Sequence, residues 1–165
     1  MKRANRNRRH GAAERRALVR LLEGVGAHAA LSESLRDFPR ALRGVKPRGA
    51  PHTPWELLEH LRIAQQDILA FSRDPEHPSP PWPEGFWPDG SKPPDPRAWE
   101  RSVRSFLKDL GALEAIARSK RDLAAPIQGT TTSWLGQLCL VASHNSYHLG
   151  QLFLLRRTLE ARARR

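Results

Sequence analysis

Thr53-Pro54-Trp55-Glu56-Leu57-Leu58-Glu59-His60-Leu61 is the stretch on which the fold turns. A threonine hydroxyl, then proline at the first helical position and glutamate at the third, are the parts of a capping box. The hydroxyl accepts from a free backbone N–H of the first turn, and the glutamate reaches back to the threonine N–H. The helix that starts here carries Leu57, Leu58, Leu61, Ala64, Ile68 and Phe71 at three- and four-residue steps and should stop before Pro75.

On the N-terminal side, Leu18, Leu21, Leu22, Val25, Ala29, Leu35 and Phe38 form a second apolar stripe. This predicts one long helix from Glu14 to near Pro39, in spite of Gly24 and Gly26. Residues 40–52, with Gly44, Pro47, Gly49 and Pro51, form a linker. On the C-terminal side, nine of the fourteen prolines fall between Asp74 and Pro96, interleaved with Trp82, Phe86 and Trp87. Neither a helix nor a central strand survives that density of proline. The three rings are expected to pin the segment against the body as an ordered crossover, with a lid over a pocket as the functional alternative.

Asp95-Pro96 is expected to start a third helix with Trp99, Val103, Phe106, Leu107, Leu110 and Leu113 on one face, ending near Ser119. Beyond Pro126 and Gly129, Thr132 or Ser133 caps a last helix reaching about Leu159, with Leu135, Leu138, Val141, Leu149, Leu152 and Leu155 on its stripe. No segment alternates with period two, and no repeat is present. The expected class is all-α, a four-helix bundle in which the 40–52 and 74–95 connections are long enough to cross. Residues 1–13 read as a basic flexible arm and 14–165 as the bundle domain.

At 165 residues with 39% apolar positions, the chain suits one domain with a sizeable core. The net charge of +11 invites a nucleic-acid partner, but residues 1–16 carry +6 and residues 156–165 carry +4, which leaves the body nearly neutral. The basic ends hold no aromatic residue for stacking on bases, so they read first as solvated termini, with a nucleic-acid binder working through the Arg-rich arm as the weaker alternative. Without a long apolar run or signal core, the expectation is a cytoplasmic protein with no membrane segment. The single cysteine, Cys139, excludes an internal disulfide and a thiolate cluster; it is expected to pack in the core, facing away from any site built on His144. Trp55, Trp99 and Trp134 sit at helical spacings that suit core packing.

Any metal must therefore rest on His, Asp or Glu. Seven histidines in 165 positions give about 0.3 chance pairs at i,i+4, so His144 and His148, four apart on the apolar side of the last helix, carry modest weight alone. Two imidazoles one turn apart can share a cation at about 2.0–2.1 Å. Left metal-free, they need hydrogen-bond partners among Leu and Val. A third inward histidine would complete the set. By periodicity His60 on the second helix and His28 on the first are equal rivals, while His10, His52 and His77 fall in the arm or in loops.

The string Thr53–Leu61 quoted above, followed some eighty residues later by His144-Asn145-Ser146-Tyr147-His148-Leu149-Gly150-Gln151-Leu152, resembles the DinB-like superfamily of metal-binding four-helix bundles. The resemblance implies that His60, His144 and His148 bind a divalent metal, zinc or nickel. It also implies a homodimer and an S-transferase that uses a low-molecular-weight thiol such as mycothiol or bacillithiol on a small-molecule substrate. Three neutral imidazoles leave a divalent ion its full charge and an open position, which suits activating a thiol or a water. A metal-dependent hydrolase is the alternative, weakened because Asn145 stands where an HExxH motif has its glutamate. A non-catalytic metal-binding module is the other. Glu56 is a weak candidate for fourth ligand or base, since the capping box already explains it, and Gln151 is a weak candidate for contact with an open-site ligand or with a group around the metal, read equally well as an amide that bridges helices through hydrogen bonds.

Overall fold

The computed structural model describes residues 2–26 and 30–164. They form five α-helices: α1 (Lys2–Glu23), α2 (Leu31–Arg36), α3 (Pro54–Arg73), α4 (Ala98–Arg118) and α5 (Trp134–Ala163). Two short 3-10 turns, Arg40–Leu42 and Glu84–Phe86, lie in the connections. No strand occurs among the described residues, so the class is all-α as expected. Nor is any described helix long and apolar enough to cross a membrane.

The four long helices pack in a cycle, α1 and α3 each against both α4 and α5. One apolar core joins them, with Leu22, Leu58, Leu61, Phe106, Leu113, Val141 and Leu152 among its buried members. Trp55, Trp99 and Trp134 are buried in it, as their spacing predicts.

The first helix departs from expectation. It does not run to Pro39 but ends at Glu23, and the chain turns through Gly24 at φ 66° and Gly26 at φ 134°. Side chains rarely adopt those angles, so the two glycines end the helix where the apolar period alone would carry it on. Leu21 and Val25, assigned to the stripe, are exposed, and Ala29 lies outside the described residues. The short α2 then restores Leu31 and Leu35 to the core.

Helix α4 begins two residues later than predicted. Asp95 does not cap it; its Oδ1 accepts from the Arg97 backbone N–H at 2.8 Å and from Arg101 at 3.0 Å, folding Asp95–Arg97 into a turn ahead of the helix. Ser133 caps α5 through the Gly136 N–H, and the helix runs past Leu159 to Ala163. Leu135 and Cys139 are exposed rather than in the core: the buried face of α5 follows Leu138, Val141, Ala142 and Asn145, and both residues lie off that line.

Both crossovers are fastened to the helices. The buried Arg43 donates to the Phe38 carbonyl and to Glu100, with its guanidinium 4.9 Å above the Trp99 ring, while Trp99 Nε1 donates to the Leu35 carbonyl. At Gly44 the linker approaches the proline-rich loop so closely that a Cβ would fall 2.5 Å from that of Lys92. The Thr53 hydroxyl donates to the Ser91 carbonyl at 2.7 Å and accepts from the Glu56 N–H, tying the loop to the first turn of α3. Of the three loop rings, Phe86 and Trp87 are half-buried; Trp82 is 75% exposed and meets the Phe86 ring edge-on, so it does not pin the segment to the body as expected.

Candidate metal centre

Helix α3 delivers His60 one turn beyond Glu56, with only 4% of its surface exposed. Helix α5 delivers His144 and His148 from one face. The three rings converge. His60 Nε2 and His144 Nε2 are 3.1 Å apart, and one ring nitrogen from each of the three residues lies within 4.8 Å of the others. Ring centroids are separated by 4.6–5.0 Å. His28, the rival for the third place, lies outside the described residues.

Hydrogen bonds on the far sides of two rings fix which nitrogen faces inward. His60 Nδ1 donates to the Phe86 carbonyl oxygen at 2.9 Å; a carbonyl only accepts, so the proton is on Nδ1 and the Nε2 lone pair points into the cluster. His148 Nδ1 donates to Gln151 Oε1 at 2.9 Å, with the same consequence. His144 Nδ1, buried, has no partner among the described residues. Burial pushes the His144 pKa down to about 4, helped by His148 and His60 beside it. Burial also lowers His60 and His148, so all three are neutral lone-pair donors near pH 7.

The proline-rich loop covers the His60 side of the cluster. The Trp87 indole stacks on His60 at 4.1 Å between centroids and 7° between planes, and on its other face it carries His52 at 3.9 Å and 14°. His52, set aside above as a loop histidine, is thus part of the site's wall. No period could have shown this, because neither His52 nor Trp87 lies on a helix.

Behind the histidines, Asn145 is 1% exposed and donates to Gln65 Oε1 at 2.9 Å; Gln65 Nε2 donates in turn to the Phe106 carbonyl at 2.8 Å. This buried amide chain ties α5 to α3 and α3 to α4 directly beneath the centre. Glu56 is not part of the cluster. Its Oε2 accepts from the Thr53 N–H at 2.6 Å, completing the capping box with the Thr53 hydroxyl.

Comparison with known proteins adds one finding. A model of the DinB superfamily matches residues 23–152, a span that holds all three histidines. The chain belongs to the DinB superfamily. No significant match was found among curated proteins or among solved structures.

Within this DinB-superfamily chain, the donor set fits a divalent ion on its own chemistry. Tetrahedral ligands at about 2.0–2.1 Å stand about 3.3 Å from one another, and the 3.1 Å between His60 Nε2 and His144 Nε2 falls close to that separation. Without a shared cation or proton, two lone pairs at this distance repel. Each ligand ring that is held from behind is held by an oxygen acceptor, the arrangement that orients histidine ligands in metal sites.

Proposed function

We propose that this DinB-superfamily protein is a metal-dependent S-transferase. On this reading His60, His144 and His148 hold a divalent ion, zinc or nickel, and a low-molecular-weight thiol of the mycothiol or bacillithiol kind is the co-substrate for a small electrophile. The observation that carries the reading is the convergence of three neutral imidazole nitrogens, two of them locked in one tautomer by Phe86 and Gln151. A divalent ion bound by three neutral ligands keeps its charge and supplies the electrostatic stabilisation that turns a neutral thiol into a thiolate near pH 7.

The chain's own residues do the rest. The Phe86 carbonyl and the Trp87 face hold His60 in one orientation, and Gln151 does the same for His148. Trp87 excludes water from one side of the His60 ring. A hydrolase is the less supported reading: no carboxylate joins the cluster among the described residues, Asn145 binds Gln65, and the Glu56 carboxylate accepts from the Thr53 N–H. The protein is further proposed to act in the cytoplasm as a homodimer, the latter checked by light scattering.

The test begins with elemental analysis of untagged protein beside the His144→Ala/His148→Ala variant. One equivalent of metal, absent from the variant, is expected. The cobalt-substituted protein should then develop a sulfur-to-metal charge-transfer band on adding a small thiol. Failure to take up zinc, nickel or cobalt overturns the reading; uptake without any thiol-dependent band removes the transferase and leaves a metal-binding module.

A further inference from the structure

A pocket of about 290 Å³ lies between residues 47–52 and the second half of α5, with His52 and Gln151 in its lining. Its walls are Pro47, Ala50, Pro51, Leu57, Leu154 and Leu155. Its polar groups are Arg48, His52, Gln151 and Thr158, and no acidic residue lines it. Two of these groups already belong to the surroundings of the centre: Gln151 accepts from His148 Nδ1, and His52 is stacked on Trp87.

Size and charge select the occupant. A dry cavity of about 150 Å³ holds a benzene ring, and drug-sized ligands fill about 300–1,000 Å³, so this pocket suits one ring or branched chain with a single polar group. Apolar walls favour the hydrocarbon. The Thr158 hydroxyl donates to the Leu154 carbonyl, so the donors along the pocket are the Arg48 guanidinium, the His52 imidazole and the Gln151 amide, and with no carboxylate among the lining residues the polar group they complement is an anion with oxygen acceptors.

We propose that this pocket binds a compact apolar carboxylate, which is the body of the small-molecule substrate of the neighbouring centre. The second half of that statement rests on the metal-dependent reading above; the first rests on the pocket alone. Gln151 is the residue the two sites share. Its Oε1 faces His148, which leaves its amide N–H groups to donate to an occupant of the pocket.

The test uses sodium benzoate as probe and benzyl alcohol as its neutral counterpart, titrated into the full-length protein in chelator-treated and zinc-supplemented forms and followed by amide NMR. Saturable shifts of the Gln151 side-chain amide and the Thr158 backbone amide are expected with benzoate in both forms, with benzyl alcohol about tenfold weaker. Leu155→Trp, which fills the pocket, should abolish the shifts, and Arg48→Glu, a surface change that leaves the core intact, should weaken benzoate about tenfold without altering benzyl alcohol. Equal binding of acid and alcohol, shifts elsewhere on the molecule, or no saturation overturns the proposal, whatever the metal content. Benzoate bound as expected by a protein that takes up no metal keeps the pocket and removes the centre it was assigned to serve.

Discussion

The Trp87 indole lies flat on the His60 imidazole, 4.1 Å between centroids and 7° from parallel, so a loop aromatic sets the plane of a ring that α3 supplies. Trp87→Ala removes that support while leaving every helix residue in place. Metal affinity should fall about 10- to 100-fold, as for other partners that orient a ligand from behind. Competition against a chromophoric chelator measures this; unchanged affinity would mean that α3 alone orients His60.

His144 behaves differently with and without metal. In metal-free protein its Nε2 shares a hydrogen with His60 Nε2 at 3.1 Å while its buried Nδ1 has no partner among the described residues, so His144→Leu loses one hydrogen bond and removes one desolvated polar atom, and stability should fall by no more than about 1 kcal/mol. With zinc at about 100 times its dissociation constant, wild type should gain about 2.7 kcal/mol and the variant nothing. Urea unfolding in both conditions checks the pair of outcomes. A variant destabilised by several kcal/mol without metal would show that Nδ1 is satisfied in the native state as well.

Acid sensitivity follows from the same residue. Burial holds His144 neutral down to about pH 4, whereas in the unfolded chain it titrates near 6.5. The unfolded state therefore binds the extra proton first as pH drops, and the stability this residue contributes, fully present above about pH 6.5, should decline from there to about pH 4 and level off below. His60 and His148 are shifted in the same direction and add to the slope. Unfolding midpoints of metal-free protein across this range should show a shallower decline for His144→Leu; equal slopes in both proteins would refute the assignment.

The buried amide chain beneath the centre is a third target. Gln65→Leu strands the Asn145 amide N–H, while the Phe106 carbonyl keeps its place in the α4 hydrogen-bond ladder, and about 1–3 kcal/mol of stability should be lost. Gln65→Leu/Asn145→Leu should cost less than the two single changes summed, because each single change leaves a polar group unpaired that the double change removes. Strict additivity in denaturant unfolding would show that the two amides act independently.

What the sequence made legible was whatever a helix writes into it. Thr53 and Glu56 announce the start of α3 through a capping box that forms as written, and His144 and His148 share a face because four residues are about one turn. The choice between His60 and His28 was not available from spacing, since both continue an apolar stripe; the resemblance of the Thr53–Leu61 string supplied it, and His60 meets the α5 pair. Helix propensity charges Gly24 and Gly26 only about 1 kcal/mol each, too little to announce a break, whereas their positive φ angles are tertiary facts without a sequence period. Leu135 and Cys139 show the other limit: on a helix as apolar as α5, a residue one step off the buried line is indistinguishable by type from one on it. Trp87, His52 and the Asn145–Gln65 pair escaped because contacts between a loop and a helix, or between two distant amides, leave no pattern along the chain.

The acceptor that fixes the His60 tautomer is a main-chain oxygen, that of Phe86, and peptide oxygens are the same whichever amino acid is encoded. Point substitution at position 86 cannot delete it; only a change in chain length or path can. Codon by codon, then, this hydrogen bond is shielded from substitution at its acceptor, while a single-residue insertion or deletion between Pro81 and Trp87 would shift that oxygen away from His60. For this bond, unlike the Trp87 stacking, the loop's length is the inherited quantity.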